Sequence, residues 1–171
     1  GEAIKGNRDN WNLATKFGHN RISRTKNEQR WSAKDVLGQL EESLSYLKTD
    51  YIDLYQFHSG SNEMFDNEKL WTMLDKQKQA GKIRYLGVSL SRKSSEWRIY
   101  QAEKAKSVGV SVIQVMYNRL LKEAENEVLE TCKKDNLGVI ARVPLASGLL
   151  SGKYKVGTRF SENDSRHKKY S

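Results

Sequence analysis

The strongest constraint on this chain is a repeat. Roughly every 30 residues, a short apolar run is followed by a longer stretch whose apolar residues recur at helical spacing. Asn12 to Phe17, Tyr51 to His58, Ile83 to Ser89, Val112 to Tyr117 and Leu137 to Val143 are the short runs. Being mostly apolar rather than strictly alternating, they predict strands covered on both faces. Between them, Ser32-Ala33-Lys34-Asp35 has the form of a capping box ahead of Val36, Leu37, Leu40, Leu44 and Leu47, which predicts an apolar helix face. Leu70, Trp71 and Leu74 lead to a helix stop at Gly81. Ser94 and Ser95 open a third helix through Trp97, Tyr100 and Ala105, closing at Gly109. Val128, Leu129 and Cys132 mark a fourth that closes near Asn136.

Strands alternating with helices predict a parallel sheet. Two architectures satisfy the alternation. One is an open doubly wound sheet. The other is a (β/α)8 TIM barrel, whose ~250 residues in eight units have this interval. The G-x-G-x-x-G turn that opens many dinucleotide-binding open sheets is absent. The 171 residues have room for five strands, not eight.

Composition narrows the partners. The net charge of +9 raises nucleic acid as a ligand, but the excess sits in the flanks. Residues 1–34 carry eight Lys/Arg against three acids, and residues 153–171 six against two. The flanks hold no repeats of interleaved aromatic and basic residues of the kind that stack bases, so no nucleic-acid partner is expected. No run approaches the ~18 apolar residues of a membrane span, and no signal segment opens the chain; no membrane association and a cytoplasmic location are expected. Cys132 is the only cysteine and is expected to be a small buried side chain. His19, His58 and His167 lack ligand spacing, so no metal site is expected.

Six motifs, in order, resemble the aldo-keto reductase family. They are Leu13-Ala14-Thr15-Lys16-Phe17-Gly18; Leu40 to Leu44 followed by Leu47 to Tyr55; Gln56-Phe57-His58; Gly81 to Ser89; Gln114 to Asn118; and Pro144 to Tyr154. The resemblance implies the central five βα units of a (β/α)8 barrel, with residues 1–171 forming one partial domain that lacks the terminal units. It implies an NADP(H)-dependent oxidoreductase that reduces aldehydes or ketones to alcohols by hydride transfer.

Lys16 then corresponds to the active-site lysine at the end of the third barrel strand, and His58 to the histidine at the end of the fourth. A lysine ammonium tunes a tyrosine from its reference pKa of ~10 toward neutrality, and a neutral imidazole can hold the substrate carbonyl oxygen. Ser89 and Gln114 would hold the nicotinamide carboxamide. Leu90 stands where an asparagine often gives a further amide contact, and Arg142 where an aromatic often stacks on the ring. Pro144, Leu145, Ser147, Gly148 and Lys153 belong to a loop that would follow the cofactor pyrophosphate, its small residues letting backbone N–H groups approach.

The resemblance places the proton-donating tyrosine and its aspartate before Gly1, and the 2′-phosphate contacts after Ser171. The chain alone is therefore expected to be inactive, and the family-like stretch Phe160 to Ser171 reads as cut. Open sheet edges would invite self-association. The alternative is a regulatory or binding subunit on the same barrel, a role that would not require Lys16 and His58.

Overall fold

The computed structural model describes residues 1–21 and 27–167; the last four residues of the family-like C-terminal stretch lie outside them. Five strands form one parallel sheet: β1 (Ala14–Phe17), β4 (Ile52–His58), β5 (Ile83–Ser89), β6 (Val110–Met116) and β7 (Gly138–Arg142), in that order across it. A short antiparallel pair, β2 (His19–Arg21) and β3 (Asn27–Gln29), follows β1. The repeat therefore yields the expected parallel strands. β6 starts two residues early and ends at Met116, because Val110 already pairs with Leu86 across a register shift.

The helices form where the caps predict them. In α1 (Ala33–Leu47) the Ser32 hydroxyl accepts the Asp35 N–H, and Val36, Leu40 and Leu44 are buried while Leu37 and Leu47 lie half-buried beside them. A left-handed Lys48 ends this helix. After the short α2 (Asn62–Phe65), α3 (Glu68–Gln79) buries Leu70, Trp71 and Leu74; Gly81 follows its end at φ +78°. In α4 (Ser95–Ala105) the expected face is displaced. Gln101, Ala102 and Ala105 are buried, whereas Trp97 and Tyr100 are half-buried. Small side chains allow this helix close to its neighbours, and the Gln101 amide donates to the Gly60 carbonyl. A π turn, Glu125–Leu129, leads into α5 (Glu130–Asp135), where Cys132 is buried and Asn136 is left-handed.

One apolar layer lies between the sheet and these helices. Tyr55 and Phe57 of β4 point into it: Phe57 packs on Trp31, Phe65 and Trp71, and the Tyr55 hydroxyl donates to the Val36 carbonyl. Because side chains alternate along a strand, Leu54, Gln56 and His58 face the opposite, concave side. At the amino end of the sheet, buried Asp53 accepts from Arg8, Arg84 and the Leu13 N–H, while both guanidinium groups lie over the Tyr51 ring. This cluster pins the first turns of the chain to β4.

Candidate active site

Lys16 and His58 stand at the carboxyl ends of adjacent parallel strands, the end at which barrel enzymes assemble their sites. Pairing places Lys16 beside Gln56, His58 beside Ser89, Ser89 beside Gln114, and Met116 beside Arg142. One row of polar side chains therefore crosses four strands on the concave face. Gly87 gives that row room. A Cβ there would lie 2.9 Å from both Gln56 Cγ and Leu54 Cδ1.

His58 is pushed down to about 4, first by burial and then by the positive fields of His19, Lys16 and Arg142. It is therefore neutral at pH 7 and can share a hydrogen bond without carrying charge. Sequence reasoning set His19 aside, but the fold brings its ring within 5.2 Å of His58, edge to face. His19 Nε2 lies 2.7 Å from the His58 carbonyl oxygen. A carbonyl only accepts, so Nε2 carries the proton. The neighbouring Gly18, at φ +103°, is pressed under Trp31: a Cβ would fall 2.1 Å from the indole. The tight turn that follows Lys16 therefore requires glycine. Gln56 is a second residue the sequence reading passed over as a site candidate. It is buried beside Lys16, and its Oε1 has no partner among the described residues.

Ser89 is buried, and its hydroxyl donates to Gln114 Oε1 at 3.1 Å. That bond leaves lone pairs on the serine oxygen and N–H groups on the glutamine. The pair offers one acceptor and one donor, which is the complement of a carboxamide. Leu90 is buried in the apolar layer and cannot supply a further amide contact. Arg142 ends β7 half-buried, with its Nε–H unpartnered.

The loop after β7 carries Pro144 and Leu145, both exposed, then a 3-10 turn, Ala146–Ser151, containing Ser147 and Gly148. Val143, Ala146 and Ser147 all adopt positive φ, a strained conformation for side chains with a Cβ. Asn118 holds the Val143 carbonyl, and Arg166 reaches the Ser147 carbonyl while fixed by Asp164 and Tyr154. Within this turn the Gly148 N–H already donates to the Leu145 carbonyl. Lys153 is exposed beyond it. No tyrosine hydroxyl among the described residues bonds Lys16 or His58; those of Tyr51, Tyr55, Tyr100 and Tyr117 are committed to Asp9, Val36, Asp66 and Glu125. Among the described residues no cluster of three metal-ligating side chains occurs and no helix is long and apolar enough to cross a membrane.

A parallel sheet with helices on one side and a polar row at its carboxyl ends is the architecture of part of a (β/α)8 barrel, of which five strands are described here. The chain belongs to the aldo/keto reductase family, whose model matches residues 1–170. It is 35% identical over 161 residues to aldo-keto reductase yakc [NADP(+)] of Schizosaccharomyces pombe, covering 91% of this chain and 45% of that protein. Aldo-keto reductase YhdN of Bacillus subtilis is 33% identical, covering 98% of this chain and 49% of that protein. Among solved structures, the glycerol dehydrogenase AKR11B4 of Gluconobacter oxydans superposes with a TM-score of 0.82 at 28% identity, covering 98% of this chain and 50% of that one. The chain thus spans about half the length of these relatives.

Proposed function

We propose that this chain forms the central part of an NADP(H)-dependent reductase of aldehydes or ketones, with Lys16 and His58 as its catalytic residues. The observation that carries the reading is the placing of Lys16 and His58 at the carboxyl ends of neighbouring parallel strands, close enough for the Lys16 charge to act on His58, with His58 in register with the Ser89–Gln114 pair. The family relationship and the NADP(+) in the name of the yeast relative support the cofactor.

The residues fit a nicotinamide: Gln114 would donate to the carboxamide oxygen, Ser89 would accept from its nitrogen, and the flat guanidinium of Arg142 would stack on the ring. Pro144, Leu145, Ser147, Gly148 and Lys153 would lie along the pyrophosphate. When bound, the cofactor supplies the hydride. His58 then donates a hydrogen bond to the substrate carbonyl and orients it, and Lys16 lowers the pKa of the proton-donating hydroxyl. Among the described residues no tyrosine hydroxyl bonds Lys16 or His58, so the 171-residue chain alone is expected to have little or no activity. A proton donor is worth ~10² to 10⁴-fold.

The test is carbonyl-dependent oxidation of NADPH by a reductase that contains this chain. Lys16→Met should lower kcat at least tenfold while leaving NADPH binding within a few-fold. Full turnover in Lys16→Met would sink the assignment.

A further inference from the structure

Beside the polar row, at the carboxyl ends of β5 and β6, lies a cavity of about 120 Å³ that uses none of the residues paired with Lys16. That is space for several waters, and so for a small oxyanion. Arg92, Arg98 and Arg142 line it, with Ser91 and Glu123. Arg98 is neutralised by two bonds to Glu127, at 2.6 and 2.9 Å. The guanidinium groups of Arg92 and Arg142 have no hydrogen-bonded or ionic partner among the described residues, and Glu123, exposed on the rim, pairs with neither. Arg142 Nε–H is buried and unsatisfied, a donor that costs stability until something accepts from it. Burial, and then the charge of Arg92, both work against the charged form of Arg142. Two cations with no partner among the described residues share one cavity, and an anion is the ligand that complements them.

We propose that this cavity binds an oxyanion through Arg92 and Arg142, and that the oxyanion is the carboxylate of an acid-bearing carbonyl substrate. The second half rests on the reductase reading; the first does not. A guanidinium has a face and an edge. Arg142 can lay its face on the nicotinamide while its edge, with Nε–H, donates into the cavity, and Arg92 provides a second fork for the same carboxylate. Arg142 also acts on His58 through its field, which ties the cavity to the catalytic end of the sheet.

The experiment reads the arginine Nε–H resonances of the 171-residue chain during titration, without cofactor or turnover. The probes are inorganic phosphate, 2-oxobutanoate and, as its uncharged counterpart, butanone, all at matched ionic strength. Phosphate and 2-oxobutanoate should shift the Arg92 and Arg142 signals saturably, butanone should not, and Arg92→Gln should weaken both anions at least tenfold with the backbone spectrum preserved. Phosphate binding without 2-oxobutanoate binding overturns the substrate assignment. No saturable shift with either anion, or binding unchanged in Arg92→Gln, overturns the site. An inactive full-length reductase with these titrations intact counts against the reductase reading alone.

Discussion

At the residue scale, His58 carries the sharpest consequence. Its folded pKa lies below the ordinary histidine value near ~6.5. The unfolded chain therefore binds a proton that the folded chain refuses as pH falls from about 6.5 toward 4. By linkage, stability is complete above this window and is lost through it. His58→Gln should flatten that acid limb in urea denaturation between pH 7 and 4; an unchanged slope would mean His58 titrates normally. Gly87 offers a steric counterpart. Gly87→Ala drives a methyl against Gln56 and Leu54, so it should destabilise by ~1–3 kcal/mol and shift the Gln56 side-chain amide signals. A neutral substitution there would show that the concave row has slack. The shared end of the sheet on which Lys16, His58, Ser89 and Gln114 lie was legible because each sits in the last residues of an apolar strand run or in a recognisable motif. His19 was illegible for a physical reason: its contact with His58 spans 39 residues and exists only once β1 and β4 pair.

At the element scale, periodicity and caps were enough to locate most strands and helices. Ser32 and Ser94 cap as their spacing implies, and Gly81 and Gly109 stop helices as residues free to take positive φ. What periodicity could not show was the π turn at Glu125–Leu129 or the buried face of α4, where packing rather than hydrophobicity selects Gln101 and the alanines. The attachment of the first turns was also hidden, because the contacts of Asp53 with Arg8 and Arg84 span 45 and 31 residues and follow no local pattern. Burial alone would raise the Asp53 pKa, yet the Leu13 N–H and the two arginines hold the carboxyl below its usual range. Asp53→Asn strands two guanidinium groups over Tyr51. Breaking a buried pair costs about 3–5 kcal/mol, and because Arg84 is half exposed the loss in thermal or denaturant unfolding should fall somewhat below that, on the order of 2–4 kcal/mol. A loss of a few tenths would place the cluster among surface pairs that contribute little.

At the scale of the whole molecule, the sheet has two free edges and an uncovered face. Among the described residues β1 and β7 each pair on one side only, and Tyr85 and Ile140 expose apolar surface. Edges of this kind are templates for further pairing, and a closed barrel would remove them. Against association stands the net charge of +9, which makes identical copies repel. The two effects differ in their response to salt. Screening shortens the reach of the repulsion from ~30 Å at 0.01 M to ~3 Å at 1 M, while apolar burial and strand pairing are little affected. The isolated chain should therefore sediment as a monomer at low ionic strength and shift to larger species as salt and concentration rise. Arg or Lys placed inward on an edge, as in Val139→Lys on β7, should suppress the shift, because the charge would have to be buried in the new pairing. A monomer at every salt concentration, or an assembly indifferent to Val139→Lys, would show that these edges are not the surface that associates.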